Sequence, residues 1–195
     1  MNNILFINAC VRKDSRTKEL ADVVLSKLNG KITEVNLLKE NLQPLNEETI
    51  NLRFSLASKK DFSNSIFDKA KQFAAADIIV IAAPFYDYSF PANLKIYIEN
   101  INVSGIVFRY TESGEVEGLC KAKKVIYITT AGGPILNSDF GYGYIKYLCN
   151  NFYGIKDTTL IKAEGLDIVG ADIPAIMQKA KQEALEKINA LNKDI

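Results

Sequence analysis

The sequence contains no histidine among its 195 residues. This absence excludes a histidine general base, nucleophilic catalysis by Ser/His or Cys/His pairs, and any zinc site with a histidine ligand. Because few candidate acids and bases are left, we expect a bound cofactor rather than a side chain to carry the chemistry. We predict no catalytic side chain and no metal site.

Cysteine is scarce, and neither sign of charge is in clear excess. The three cysteines, Cys10, Cys120 and Cys149, are widely separated and odd in number, which favours free thiols in a reducing compartment such as the cytoplasm. Lysine and arginine total 24 against 23 aspartate and glutamate residues, a net charge of +1. This balance gives no reason to expect a nucleic acid or an anionic membrane as partner.

Long apolar runs are also missing. No stretch approaches the roughly 20 apolar residues that a membrane-spanning helix needs. The N-terminal segment 1–7 enters an apolar run without a basic leader, so we expect no signal peptide. With 48% hydrophobic and 24% charged residues, the composition is typical of a globular protein. The length predicts one domain over residues 1–195.

Short apolar runs alternate along the chain with segments whose apolar residues recur every three or four positions. The run 77–83 is apolar on both faces, which is typical of a central strand in a parallel sheet. Strands are predicted at 4–7, 32–37, 77–83, 125–129 and 158–163, and helices at 18–28, 61–76, 91–101, 142–152 and 173–191. We expect irregular structure at 38–51 and 105–124. Five strands alternating with five helices predict an α/β fold, a doubly wound parallel sheet with helices on both faces.

In such a sheet, ligands bind beyond the carboxyl ends of the strands, where the winding changes direction. The first segment at such a position, 8–17, lacks the glycine patterns of dinucleotide-binding and ATP-binding loops. It places the hydroxyls of Ser15 and Thr17, with Arg16 between them, beside the free N–H groups of a helix start, which suits a single phosphate ester. The alternative is that Ser15 only caps the helix, and the local sequence alone favours capping.

Two more loops occupy such positions. Residues 84–91 place Phe85, Tyr86, Asp87 and Tyr88 after Pro84, and stiff aromatic loops make good walls for a flat ring. They are equally suited to packing on the domain's own surface or on a second subunit. Residues 129–134 contain Gly132 and Gly133, which allow close approach of the backbone to a ligand, although an ordinary turn also uses glycine.

Cys10 has two interpretations. A cysteine beside a helix N-terminus can have a lowered thiol pKa and be reactive. A small buried residue is the simpler role for it.

The sequence resembles the flavodoxin-like NAD(P)H oxidoreductases, and within them the FMN-dependent NADH:quinone oxidoreductase and azoreductase family. The resemblance runs across nearly the whole chain. Its most specific parts are Asn-Leu-Lys at 93–95 and Phe-Arg-Tyr-Thr at 108–111, and it is also carried by segments 15–17, 83–88 and 128–133.

The resemblance implies a five-stranded flavodoxin-like sheet in the order 2-1-3-4-5 and a bound FMN, in a homodimer with active sites at the subunit interface. By position, Ser15, Arg16 and Thr17 would hold the phosphate. Segment 84–88 would lie along the isoalloxazine ring, and Thr130, Ala131, Gly132 and Gly133 would contact its other edge.

The hypothesis that follows is a two-step cycle in which NADH or NADPH reduces the flavin and then leaves. A small acceptor such as a quinone or an azo compound takes the same place and collects two electrons, while the flavin performs the chemistry. Two alternatives stay open: a flavodoxin-like carrier of single electrons between proteins, and a flavin-free relative kept for binding or regulation. A carrier is expected to be strongly acidic, which the net charge of +1 does not match.

Overall fold

The computed structural model describes residues 1–191. Its strands are β1 (Asn2–Asn8), β2 (Gly30–Asn36), β3 (Ile78–Ala82), β4 (Phe108–Tyr110), β5 (Val116–Gly118), β6 (Lys124–Thr130) and β7 (Asp157–Ala163). Its helices are α1 (Arg16–Leu25), α2 (Glu47–Ser58), α3 (Asp68–Ala75), α4 (Ala92–Ile101), α5 (Tyr144–Leu148) and α6 (Ile173–Leu191). A 3₁₀ turn, Ser65–Phe67, precedes α3, and π-helical turns at Asp139–Gly143 and Cys149–Tyr153 flank α5.

Five strands form one parallel sheet in the order β2-β1-β3-β6-β7. Numbered along the sheet's own strands this is 2-1-3-4-5, so the predicted fold and strand order are confirmed. The chain moves outward from β1 to β2 and then crosses back to β3, which lies on the other side of β1. The winding therefore changes direction between β1 and β3, and the loops at their carboxyl ends diverge to leave a crevice.

The core lies on both faces of the sheet. Helices α1 and α6 cover one face, where Phe6, Val80 and Ile128 are buried. Helices α3, α4 and α5 cover the other, where Ile7, Ile81 and Tyr127 are buried. Every residue of β3 is buried, as the continuous apolar run at 77–83 predicts for a central strand.

One helix and one two-stranded hairpin were not predicted: α2 begins within the segment 38–51 and extends to Ser58, and β4 and β5 lie within 105–124. Helix α2 begins at a capping box, in which the side chains of Asn46 and Thr49 each accept from the backbone N–H of the other residue. The strands β4 and β5 form an antiparallel hairpin held by a two-bond ion pair between Arg109 and Glu117. The remaining predicted elements are present with shifted ends, and helix α1 ends at Leu25 rather than at Leu28.

The edge strand β2 and the residue after it carry three apolar side chains, Ile32, Val35 and Leu37, and because side chains alternate along a strand, Ile32 lies on the opposite face from the other two. Val35 and Leu37 are buried as expected, but Ile32 is 43% exposed. An edge strand has a neighbour on one side only, so a residue near its start can stay open to solvent. For helix α6, the spacing of its apolar residues predicts that Ile176, Ala180, Ala184 and Ile188 face inward; the last three are buried and Ile176 is partly buried against the core. The side chain of Leu191, predicted to face inward as well, lies outside the described part of the chain.

Candidate functional site

A cleft of about 260 Å³ lies at the carboxyl ends of β1, β3 and β6. Three of the loops that line it follow these strands: the first cleft loop (8–17), the second cleft loop (83–91) and the third cleft loop (130–134). Nine of the twelve predicted site residues line it, namely Ser15, Arg16, Thr17, Pro84, Phe85, Tyr86, Thr130, Ala131 and Gly132. The structure therefore brings together residues that are 117 positions apart in the sequence, from Ser15 to Gly132.

The first cleft loop ends at the N-terminus of α1. The Ser15 side chain accepts from the Lys18 N–H at 3.3 Å, so Ser15 caps the helix. The N–H groups of Arg16 and Thr17 belong to the first turn of the helix, where no preceding turn supplies acceptors. Together with the helix dipole they make this end of the cleft attractive to an anion.

The hydroxyls of Thr17 and Thr130 are 2.6 Å apart, and both residues are buried. This contact ties the first cleft loop to the third at the floor of the cleft. The third cleft loop is also tied to the second, because the Phe85 N–H donates to the Thr130 carbonyl at 3.0 Å. The three loops are thus joined through Thr130.

The second cleft loop turns back on itself at its tip. Tyr86 and Ser89 exchange two backbone hydrogen bonds, and the two residues between them, Asp87 and Tyr88, have φ angles of 49° and 64°. This is a tight turn in the left-handed region that glycine and asparagine prefer. Asp87 and Tyr88 form its exposed tip and do not line the cleft in the described structure. Pro84 and Phe85 present the apolar wall, and the Phe85 ring packs edge-on against Tyr88 with centroids 6.2 Å apart.

The paired glycines of the third cleft loop differ in their surroundings. A Cβ on Gly132 would lie 2.3 Å from Oδ2 of Asp167, so a side chain at this position would require Asp167 to move. A Cβ on Gly133 would meet nothing within 4 Å. Gly133 is exposed and does not line the cleft. Neither residue has a positive φ angle, so the contact with Asp167, rather than the backbone conformation, favours glycine at position 132.

Four cleft-lining residues were not predicted as site residues: Arg12, Asp14, Leu166 and Asp167. The last two follow β7 in a loop that we call the β7 loop (164–172). Its N–H groups at Leu166 and Asp167 donate to the carbonyls of Ala131 and Gly132. The predicted strand order could have indicated this loop. Because β7 lies beside β6 in the sheet, its carboxyl end must lie beside the third cleft loop.

Cys10 is buried next to the cleft and its Sγ donates to the Ala82 carbonyl at 3.8 Å. Burial raises the pKa of this thiol, opposed in part by a hydrogen bond from Ser15. The interpretation of Cys10 as a small buried residue is therefore confirmed. Across residues 1–191 no group of three or more Cys, Asp or Glu side chains is arranged to hold a metal ion. No helix in the same range is long and apolar enough to cross a membrane.

The parallel sheet and the cleft at its switch point define a flavodoxin-like α/β protein. The amino-acid sequence matches the model of a family described as having a flavodoxin-like fold over residues 2–188. The FMN-dependent NADH:quinone oxidoreductase 2 of Clostridium acetobutylicum is 40% identical over 203 aligned positions, covering 95% of this chain and 100% of the relative. The FMN-dependent NADH:quinone oxidoreductase of Clostridium perfringens strain SM101 is 36% identical over 202 aligned positions, covering 99% of each chain.

Solved structures share the fold. An azoreductase from Bacillus anthracis str. Sterne superposes with a TM-score of 0.83 at 24% identity, covering 97% of this chain and 100% of the other. An FMN-dependent NADH-azoreductase from Bacillus anthracis str. Ames Ancestor, in complex with FMN, gives a TM-score of 0.81 at 24% identity and covers 98% and 99%. The chain belongs to the family of the FMN-dependent NADH:quinone oxidoreductases, as its sequence motifs predict.

Proposed function

We propose that this protein is an FMN-dependent NAD(P)H oxidoreductase of the cytoplasm, formed by a single domain over residues 1–195, that reduces a small acceptor such as a quinone or an azo compound. One observation carries the proposal: the cleft at the switch point joins an anion-attracting helix start to a flat apolar wall. Relatives with up to 40% identity over 95% of the chain bear the matching names. The free state of Cys10, Cys120 and Cys149 agrees with a reducing compartment.

The first cleft loop fits the phosphate of FMN. The N–H groups of Arg16 and Thr17 would donate to phosphate oxygens, and the Arg16 guanidinium would add a charge-assisted hydrogen bond. The Ser15 hydroxyl can donate its proton to the phosphate while its oxygen continues to accept from Lys18. Thr17 supports this position from below, because its hydroxyl is engaged with Thr130.

The second and third cleft loops fit the ring. Pro84 and Phe85 would lie against the isoalloxazine, with Tyr86, Asp87 and Tyr88 continuing along it. Thr130, Ala131, Gly132 and Gly133 would border the pyrimidine end. N–H groups of Gly132 and Gly133 would stabilise negative charge that develops there on reduction. The chain supplies binding, orientation and electrostatics, and no side chain is assigned as acid or base.

With FMN bound, hydride from NADH or NADPH would be taken up at the flavin and passed as two electrons to the acceptor, in a ping-pong cycle. The apolar wall formed by Pro84 and Phe85 limits water on one side of the site, while the other side stays open for exchange of donor and acceptor. Double-reciprocal plots of the initial rate against NADH concentration, measured at several fixed acceptor concentrations, should give parallel lines. Intersecting lines would show a ternary complex and contradict this part of the proposal.

We further infer that the protein works as a homodimer. Large apolar side chains are exposed at two places: Tyr88 at the turn tip is 61% exposed, and Phe54 and Tyr110 line a separate apolar groove of about 440 Å³ beside the end of α4. Sedimentation velocity should show a dimer for the wild-type chain and more monomer for Phe54→Lys. The control Ile32→Lys changes an exposed apolar residue of edge strand β2 that does not line the groove, and should stay dimeric.

The direct test of function is a visible absorption titration of purified protein with FMN, followed by NADH in the absence of oxygen. We expect bound yellow flavin that bleaches with NADH. Bound flavin that stays oxidised with both NADH and NADPH would overturn the reductase proposal and favour an electron carrier. A chain that binds no flavin would favour a flavin-free binding or regulatory protein.

A further inference from the structure

The charged residues that line the cleft cancel one another. Two guanidiniums, Arg12 and Arg16, are matched by two carboxylates, Asp14 and Asp167. A site for a phosphate ester is expected to carry an excess of positive charge or donors. The presence of carboxylates on its wall therefore needs a reason.

Asp167 is held in place by its backbone. Three N–H groups of the β7 loop donate to the third cleft loop: Gly165 to Gly133 at 3.2 Å, Leu166 to Ala131 at 3.2 Å, and Asp167 to Gly132 at 2.9 Å. These bonds fix the backbone of Asp167 beside Gly132, and the carboxylate lies against Gly132, where a Cβ would come within 2.3 Å of its Oδ2. The position of Asp167 on the cleft wall is thus set by three backbone hydrogen bonds.

Asp167 also engages the residue best suited to bind a phosphate. Nη1 of Arg16 lies 3.0 Å from Oδ1 of Asp167 and 3.2 Å from the Leu166 carbonyl. The side chains of Arg16 and Asp167 are 39% and 73% exposed, so as a surface ion pair they contribute little to stability. The contact matters instead for ligands, because a guanidinium already paired with a carboxylate is less available to a phosphate.

We propose that Asp167 is a specificity-determining residue that competes with the ligand's phosphate for Arg16, and so reduces the preference of the site for FMN over unphosphorylated riboflavin. The inference rests on the proposed function, since it concerns the phosphate end of the same flavin site. The Leu166 carbonyl keeps Arg16 in place when the carboxylate is neutralised. Asp167→Asn removes the charge at nearly unchanged shape, keeping one side-chain oxygen and replacing the other with an NH2 group.

The test is a measurement of the dissociation constants of FMN and riboflavin with the apoprotein, read from quenching of flavin fluorescence. Asp167→Asn should bind FMN about fivefold more tightly than wild type at low salt, as expected when one unit of nearby negative charge is removed. Riboflavin affinity should not change. In about 0.5 M salt the gain should shrink, because the charges are screened.

The matched control is Asp68→Asn. Asp68 forms an exposed ion pair with Lys71 on helix α3, which does not line the cleft, so the control makes the same change in net charge away from the site. It should leave both affinities at the wild-type values. Urea unfolding of the two variants checks that each is folded before binding is compared.

The variant Arg16→Gln distinguishes two explanations: competition between Asp167 and the phosphate for Arg16, and direct repulsion between Asp167 and the phosphate. If Asp167 acts through Arg16, the gain from Asp167→Asn should largely disappear in the Arg16→Gln background. A gain that persists there in full, an unchanged ratio of FMN to riboflavin affinity, or weaker FMN binding by Asp167→Asn would each overturn the inference. Failure of the proposed function would give a different result, in which wild-type protein binds neither FMN nor riboflavin. In that case the inference would be wrong as well.

Discussion

The hydroxyl oxygens of Thr17 and Thr130 lie 2.6 Å apart in the buried floor of the cleft. One belongs to the first turn of α1 and the other to the end of β6, 113 positions later. Each hydroxyl has the other as its partner, and buried hydroxyls without a partner are costly. The pair therefore holds two of the three cleft loops at a fixed separation.

This pairing predicts a non-additive pair of substitutions. Thr17→Val and Thr130→Val should each lower the free energy of unfolding by about 1–2 kcal/mol, because each leaves the other hydroxyl buried and unpaired. The double variant should lose about 1 kcal/mol less than the sum of the single losses, since it leaves no unpaired hydroxyl. Urea unfolding of the four proteins measures this. Strictly additive losses would show that the contact contributes nothing.

Ser15 is expected to affect both folding and binding. Ser15→Ala removes the cap of α1 and should lower the free energy of unfolding by about 1 kcal/mol. It should also weaken FMN binding, if its hydroxyl faces the phosphate as proposed. Asn46→Ala, which removes the cap of α2 far from the cleft lining, should cost similar stability and leave FMN affinity unchanged. Equal FMN affinity in the two variants would limit Ser15 to capping.

The two glycines of the third cleft loop should respond differently to alanine. Gly132→Ala places a Cβ against Asp167 and should lower the free energy of unfolding by about 1–3 kcal/mol, the usual cost of overpacking. Gly133→Ala adds a methyl group to open space and should change stability by less than about 0.5 kcal/mol. Thermal and urea unfolding compare the two. Equal losses of unfolding free energy in the two variants would show that Asp167 moves away from the added methyl group at little cost.

Buried thiols and phenols predict a loss of stability in alkali. Burial raises the pKa of Cys120 and of Cys149 to about 12 each, from an ordinary value of 9.0. The folded chain keeps these protons at a pH where the unfolded chain releases them. The contribution of these two thiols to the free energy of unfolding is therefore complete below pH 9 and is lost as the pH rises toward 12. Burial also raises the pKa of Tyr97 and Tyr153, which extends the loss above pH 10.

Unfolding by urea at a series of pH values between 8 and 10 tests this, with each such thiol adding at most about 1.4 kcal/mol per pH unit. The variant Cys120→Ala with Cys149→Ala should show a shallower decline over the same range, whatever its absolute stability. Single replacement of Cys10, whose raised thiol pKa also contributes, should leave most of the decline in place. Identical slopes in all three proteins would contradict the assignment.

The central sheet was predictable because its inner strands β1, β3 and β6 are buried on both faces. The apolar run at 77–83 indicates a strand buried on both faces. Because strands and helices alternate along the chain, few topologies of a parallel sheet are possible. The first, second and third cleft loops followed from the rule that ligands bind at the carboxyl ends of parallel strands. Nine of the residues that line the cleft could therefore be predicted from the sequence.

The elements that were missed carry little periodic signal. In helix α2 the apolar residues Ile50, Leu52 and Phe54 are all exposed, so no single stripe indicates a helix. Its start signal, Asn46 followed by Thr49, is local and easily overlooked. The hairpin strands β4 and β5 have three residues each, too few for alternation to show. Asp167 was missed because its role depends on a tertiary contact with Arg16, 151 positions away.

The β7 loop supplies part of the cleft wall, and this affects when the site can form during synthesis. The chain leaves the ribosome from its N-terminus, so α1, the apolar wall and the paired glycines emerge well before residues 165–167. Until β7 has added to the sheet, the third cleft loop lacks three of its backbone bonds and Arg16 lacks its partner. A nascent chain is therefore expected to acquire its ligand only after most of its length has been made, which ties cofactor loading to completion of the sheet.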